Sequence, residues 1–392
     1  MNRRNKSKLR VKQDGASKRG SWISATVLVA VVAAAVAISA REFAVMWTDP
    51  PIYSGPGVTE RFPLSRISPG LSGSAADTEI FVLEGEQPGG TLLVLGGTHP
   101  NEPASSLTAI TIIENAVVSQ GRLIVIPRAN HSAFTCTDPQ EGAPQTYTIE
   151  TPGEDRVFRY GSRATNPIDQ WPDPVIYVGS SGQALAGAEV RNLNRSYPGD
   201  PDGCLTEALA AAILSLIQEE SVDLAIDLHE ASPEYPVINA IVAHEDALSI
   251  AVEAALYLEF EGIQIGVEAS PGNLRGLSHR EWGDSSDALA LLIESANPAQ
   301  GRLRGAIDPA LILQGMDRYY VRAQEQGLLY VPFGEEGHPI EERVGRHLET
   351  ISMLMEIFST YHRDRTILMS GVPSLSDLLT EGLGAYLDPP AA

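Results

Sequence analysis

The sequence predicts a three-layer α/β domain, a mixed and mostly parallel sheet flanked by helices, preceded by one N-terminal transmembrane helix. Three observations carry this prediction. Short apolar runs closed by turn residues alternate with stretches of helical spacing from Ile80 to Tyr361, the pattern of a layered α/β fold. Residues 21–40 form a run without a single charge. With 392 residues, 43% hydrophobic and 20% charged, the chain can bury a large core and is not a disordered protein.

Residues 1–20 read as a basic cytoplasmic tail. Residues 1–43 hold nine Lys or Arg against Asp14 and Glu42, so the formal charge of −22 divides into +7 there and −29 in the remainder. A body that acidic argues against nucleic acid as a partner. The apolar run 21–40 would span about 30 Å as a helix, the thickness of the hydrocarbon core. Its basic flank places everything after it outside the cytoplasm, at the cell surface or in a periplasm. A cleaved signal peptide is the competing reading, with Ala37-Ile38-Ser39 as the small-residue site, and would make the protein secreted. The long basic leader favours an uncleaved anchor.

Residues 41–77, rich in Pro, Gly and Ser, read as a tether, and residues 366–392 as a loose tail. The catalytic domain is expected over 78–365. Its strands are expected at 80–85, 91–97, 121–128, 222–229, 237–244 and 289–295, and its helices at 105–118, 205–220, 245–260 and 340–361. Between the third strand and the second helix lies a long segment rich in Pro, Gly and Asn, of the length that is usually functional.

The first chemistry-bearing stretch is "LLVLGGTHPNE", where a strand ends in Gly96-Gly97 and then offers His99 and Glu102. Side chains just past such a strand sit where α/β sheets bind ligands, and His and Glu are both zinc ligands. A catalytic zinc takes three protein ligands, and the third is found in "VDLAIDLHEAS", a strand ending on Asp227 and His229. Asp227 and His229 alternate to the same side, so Asp227 can support the histidine. "EVRNLNRSYPG" supplies Asn192, Asn194 and Arg195, and an arginine fork beside an amide grips a carboxylate. "ALALLIESANP" ends on Glu294, a carboxylate in the position of a general base.

His-x-x-Glu after two glycines, then Asn-x-Asn-Arg, then Asp-x-His, then a strand-terminal Glu, in that order, resembles the zinc carboxypeptidase superfamily. The "GGTHPNE" and "DLHE" forms are most similar to its succinylglutamate desuccinylase/aspartoacylase branch. The resemblance spans residues 78–365 in order of elements. It implies one zinc per chain held by His99, Glu102 and His229, with Glu294 as general acid/base and Asn194-Arg195 binding the substrate's free carboxylate. It also implies a second arginine that polarises the scissile carbonyl. Arg191 is taken for that role, with Arg163 and Arg128 as rivals. His279 in "RGLSHREWGD" is taken as a further substrate-binding group.

The expected function is zinc-dependent hydrolysis of an amide bond next to a free carboxylate, on either an N-acyl amino acid or a peptide. The alternative from another class is a catalytically silent domain that binds carboxylates in the same pocket. The expected partners are that small-molecule or peptide substrate and, through the N-terminal helix, a membrane. Cys136 and Cys204 flank the long loop segment and either pair or stay free. Met353, Met355 and Phe358 are read as core, and His131 as a structural polar contact.

Overall fold

The structure, a computed structural model, describes residues 7–45, 47–138, 140–179 and 182–387, with side chains from residue 21 onward. It divides into two units, Met1–Asp49 and Pro50–Ala392. In the first, α1 runs over Ser7–Val45. Within it Ser21–Val45, with a mean hydropathy of 2.5 and its side chains exposed, is a candidate membrane span, five residues longer than the run read from the sequence.

The second unit contains, in order, β1 (Val58–Pro63), β2 (Glu79–Glu84), β3 (Gln87–Leu95), α2 (Pro103–Asn115), β4 (Val117–Ile126), β5 (Thr146–Ile149), β6 (Arg156–Arg159), β7 (Ile176–Val178) and β8 (Ala184–Ala186). There follow α3 (Leu205–Glu219), β9 (Leu224–Ala231), β10 (Ala240–Ala243), α4 (Leu248–Phe260), β11 (Gly266–Ala269), α5 (Ser278–Ser285) and β12 (Leu289–Ala296). The last are α6 (Pro309–Gln314), α7 (Arg318–Glu325), α8 (Ile340–Tyr361), β13 (Leu368–Ser370) and α9 (Leu375–Glu381).

The main sheet has the order β1-β2-β4-β3-β9-β12-β10-β11, with β13 pairing β4. Its centre, β4-β3-β9-β12, is parallel throughout, so four strand ends open onto the same edge. β2 and β10 flank that centre antiparallel. Alternation along the strands serves two faces. Leu92, Val94, Ile226, Leu228, Leu291 and Ile293 pack with α2, α4 and α8. Leu93, Leu95, Ala225 and Ala290 pack with α3 and with Trp282 of α5. This is the three-layer arrangement expected. Each fully buried Leu or Ile contributes about 1.5–3 kcal/mol, and truncating one such as Leu228 to Ala would cost about 2–5 kcal/mol. Met355 and Phe358 of α8 are core, as read from the sequence.

Four expectations change. The stretch 41–77 is no tether over its greater part: β1 joins the sheet with Phe62 opposite Ile80, and Ile52, Leu64, Leu71 and Ala76 are buried. Its glycines mark close backbone approach instead of slack. A Cβ on Gly55 would lie 2.3 Å from the Glu114 carbonyl oxygen, and one on Gly57 would lie 2.2 Å from that of Ala116. The stretch after 365 is likewise packed up to residue 387. It carries β13 and α9, it buries Leu378, Leu383 and Leu387, and Arg156 Nη1 donates to the Leu387 carbonyl at 2.9 Å; residues 388–392 lie outside the described residues. The helix expected over 105–118 stops at Asn115, because Ala116 turns extended and Val117 and Val118 pair with β13. The long loop segment holds two hairpins, β5-β6 and β7-β8.

Both cysteines are free. Burial first, then nearby acidic groups, pushes each thiol up to about 11, which makes neither a nucleophile.

Candidate metal centre and active site

β3 ends against Gly96 and Gly97, and both glycines are required. A Cβ on Gly96 would sit 2.6 Å from the Ser105 carbonyl oxygen, and Gly97 has a φ of +73° with the Phe134 ring 2.9 Å from where its Cβ would be. The chain therefore turns sharply off the strand and delivers His99 to the open edge. Glu102 occupies the N-cap of α2 with Pro103 behind it, a position whose helix dipole favours a carboxylate. Its side chain does not cap the helix. It reaches sideways, with Oε1 2.8 Å from His99 Nδ1 and Oε2 3.0 Å from His229 Nδ1.

His229 comes from the end of β9, which lies between β3 on one side and β12 on the other. Asp227, two residues earlier, sits 2.9 Å from His229 Nε2 and is itself held by Thr98 Oγ1 at 2.8 Å and Ser278 Oγ at 2.5 Å. With two hydroxyls donating to it, this buried carboxylate accepts the third proton from His229 Nε2. On His99 the corresponding role falls to Asn192. Asn192 Nδ2 donates to Glu189 at 2.7 Å, which fixes the amide so that Oδ1 faces His99 Nε2 at 2.9 Å. Both imidazoles are thereby held with Nε2 as donor and Nδ1 directed at Glu102. Two Nδ1 atoms and a carboxylate, all buried and within 4.8 Å of one another, are a donor set that suits zinc. The electrostatics agree. Although burial opposes it, His99 and His229 hold the Glu102 carboxyl well below the usual range. Burial likewise opposes charging His229, yet Asp227 and Glu102 hold its pKa well above the ordinary value. Burial and then the Arg163 guanidinium pull His99 down to about 4, so it stays neutral and the positive charge gathers on His229.

A cavity of about 370 Å³ opens onto this cluster. Glu294, in register beside His229 across the β9-β12 ladder, lines it. Its Oε2 is buried without a hydrogen-bond partner, and burial pushes the carboxyl up to about 8. His279, 3% exposed, also lines the cavity with both ring nitrogens unpartnered; burial pulls it down to about 3, so it stays neutral. Asn194 Oδ1 accepts from the Ser278 backbone N–H at 2.9 Å, which turns its Nδ2 toward His229 Nε2, 3.5 Å away at the cavity wall. Arg195 lines the same wall, its Nη1 on the Asn194 carbonyl at 2.6 Å.

The structure therefore brings together His99, Glu102, His229, Glu294, Asn194, Arg195 and His279. Arg191 is not among them. Its guanidinium is locked on Asp173, with Nε at 2.7 Å and Nη2 at 3.0 Å, and its Nη1 donates to the Thr165 carbonyl at 2.8 Å. Arg128 turns to the Pro50 carbonyl. Of the three arginines considered for the scissile carbonyl, the one at the cavity is Arg163, whose Nη1 lies 3.3 Å from Glu102 Oε1 and 3.4 Å from His99 Nδ1. His131 makes the structural contact expected of it, with Nδ1 3.0 Å from the Ala75 carbonyl oxygen.

Several supporting residues had no signal of their own in the sequence. Arg343 Nη1 of α8 donates to Glu230 at 2.8 Å, and Glu230 in turn accepts from the Ala104 N–H at the start of α2. His347, one turn further along α8, places Nε2 3.1 Å from the His229 carbonyl. Ser278 could have been found, since it adjoins His279.

No family model matches the chain. It is 27% identical over 166 residues to N-alpha-acetyl-L-2,4-diaminobutyric acid deacetylase of Halomonas elongata, a match covering 42% of this chain and 34% of that protein. The chain thus spans about a third of the length of the curated relative it matches. Among solved structures, succinylglutamate desuccinylase/aspartoacylase from Rhodobacter sphaeroides aligns with a TM-score of 0.35 at 19% identity, over 58% of this chain and 54% of that one. A metallo-carboxypeptidase from Burkholderia cenocepacia aligns with a TM-score of 0.44 at 11% identity, over 78% and 66%. In its motifs and in these neighbours the chain is similar to the succinylglutamate desuccinylase/aspartoacylase branch of the zinc carboxypeptidase superfamily and to metallo-carboxypeptidases.

Proposed function

We propose that this chain is a zinc-dependent hydrolase that cleaves an amide bond next to a free carboxylate. The observation that carries the reading is the convergence of His99 Nδ1, His229 Nδ1 and Glu102, each ring held in one tautomer from behind, beside a half-buried Glu294 whose Oε2 has no hydrogen-bond partner. His99, Glu102 and His229 would hold the ion. When bound, zinc supplies Lewis acidity, bringing the pKa of water toward neutrality and polarising a carbonyl.

The chain's own groups do the rest. Arg195 and Asn194 Nδ2 hold the substrate carboxylate and so orient the scissile bond. Arg163 donates to the carbonyl oxygen as negative charge develops there. Glu294 Oε2 takes a proton from the attacking water and delivers it to the leaving nitrogen, a task that suits a carboxyl raised toward neutral pH. Neutral His279 offers a donor or an acceptor to the bound substrate. An N-acyl amino acid is the favoured substrate, in keeping with the deacetylase relative. The candidate span Ser21–Val45 would anchor the enzyme, with the hydrolase outside the cytoplasm by the positive-inside rule.

The test is a screen of N-acetyl and N-succinyl amino acids and of short peptides against the full chain in detergent, with and without zinc. Zinc-dependent release of an amine supports the reading. A folded protein that binds these compounds yet never cleaves them overturns it and leaves the silent carboxylate-binding domain.

A further inference from the structure

The cavity has a second branch, running across the sheet away from the metal cluster toward the β11 edge. Register defines its floor. Glu294 lies opposite Ala240 of β10, and Ala240 opposite Gly266 of β11. Two residues along each strand, and so on the same face, Leu292 lies opposite Val242, and Val242 opposite Glu268. Leu292, Val242 and Glu268 all line the cavity. Their neighbours Ile241, Ala243, Leu291 and Ile293 point the other way, into the core. Small residues beside Glu294 thus give way to an apolar strip that ends on one carboxylate. Two strand spacings, about 10 Å, separate Leu292 from Glu268, and Glu294 stands two residues further along β12, about 12 Å from Glu268. Leu274 and Leu277 continue the apolar lining. Glu268 is exposed and makes no ion pair with a described residue.

We infer that this branch takes a substrate side chain built of an aliphatic stem ending in an ammonium or guanidinium group, with Glu268 as the residue that selects the cation. The inference rests on the proposed hydrolase reading and adds the chemical class of its substrate. Apolar walls accept methylenes and offer no partner to a polar middle. The carboxylate at the end attracts a cation and repels an acidic side chain. Arg195 and Asn194 line the same cavity beside the metal cluster, so a ligand fits with its free carboxylate there and its cationic tip at Glu268.

The experiment compares Nα-acetyl-L-lysine, Nα-acetyl-L-norleucine and Nα-acetyl-L-glutamate as substrates of the full chain in detergent with zinc. The wild type is expected to prefer the lysine compound over norleucine by about fivefold or more in kcat/KM, the scale of one partly exposed ion pair. E268Q should abolish that preference, with its loss falling on the lysine compound, and E268K should shift the preference toward the glutamate compound. Equal turnover of the lysine and norleucine compounds by the wild type, or an equal loss on both in E268Q, overturns the inference and leaves the hydrolase reading standing. Should no compound be cleaved, calorimetric binding of the same three decides. Tighter lysine binding that E268Q removes upholds the inference while the hydrolase reading falls, and equal affinities overturn both.

Discussion

The cavity is built from two kinds of wall. One is the shelf formed by the ends of β3, β9 and β12, which carries His99, Asp227, His229 and Glu294. The other is the segment between β4 and α3, which carries Arg163, Arg191, Asn192, Asn194 and Arg195. On the shelf Asp227, His229 and Glu294 are aimed by strand ladders and their neighbours follow from register, while His99 is aimed by the glycine turn that ends β3. On the segment, two arginines meet opposite fates. Arg191 is neutralised by Asp173 within the wall, whereas Arg163 extends over the cavity with its side chain 42% exposed. The strand ends are rigid enough to hold a metal; the segment supplies the groups that must meet a substrate.

The sharpest division of labour concerns Glu294. Glu294→Gln keeps the shape of the shelf and should retain zinc, yet lower kcat by about 10²–10⁴-fold, the usual worth of a general acid/base. A loss of metal in that variant would place Glu294 among the ligands and blur the distinction. The two arginines give the next effect. Arg163→Ala should lower kcat by about 10²–10³-fold with an unchanged melting temperature, if it stabilises developing charge as an oxyanion donor does. Arg191→Ala should do the reverse, destabilising the fold by about 1–3 kcal/mol because Asp173 is left half-buried and unpaired, with kcat on properly folded protein near wild type. Exchanged outcomes would return the catalytic role to Arg191.

Asn192 joins the two walls, since it sits on the segment and fixes a shelf histidine. Asn192→Ala should weaken zinc binding by about 10–100-fold, the cost of losing a group that orients a ligand, measured by competition with a chelator. The smallest effect lies behind the cavity, where α5 carries Ser278 and His279. Asp284 on that helix pairs with Arg280 at 2.6 Å, Arg275 at 2.5 Å and His244 at 3.0 Å. Against a desolvation cost, those partners hold its carboxyl well below the usual aspartate range. A carboxyl depressed in the folded state stabilises fully above its unfolded pKa and loses that contribution as pH falls through the folded value. The melting temperature should therefore drop below pH 3.8 more steeply in wild type than in Asp284→Asn, and that variant should be less stable at neutral pH by about 1 kcal/mol.

The shelf was legible in the sequence and the segment only in part. His99, Glu102, His229 and Glu294 stand at the ends of apolar runs, where a strand's period leaves few choices of direction. Arg163 and Arg191 lie on a stretch whose path is set by contacts with residues far along the chain, such as Asp138 on the Arg163 backbone and Asp173 on the Arg191 side chain. Spacing alone holds no record of those contacts, and the nearest arginine to the Asn-Arg pair proved to be the locked one. Composition misled at both ends of the second unit. Gly55 and Gly57 read as slack, yet they are the price of bringing the chain against α2 and β4. Glu268 gave no signal in the sequence because its place beside Val242 exists only once β11 pairs with β10.

The central claim is that His99, Glu102 and His229 are one metal site. Its most direct test is the zinc content of the full chain, purified without added zinc and then offered it, beside His99→Ala, His229→Ala and Glu294→Gln. The structure predicts about one zinc per chain in wild type and Glu294→Gln and little in either histidine variant. Folded wild type that takes up no zinc, or a His229→Ala protein that holds as much as wild type, would contradict it.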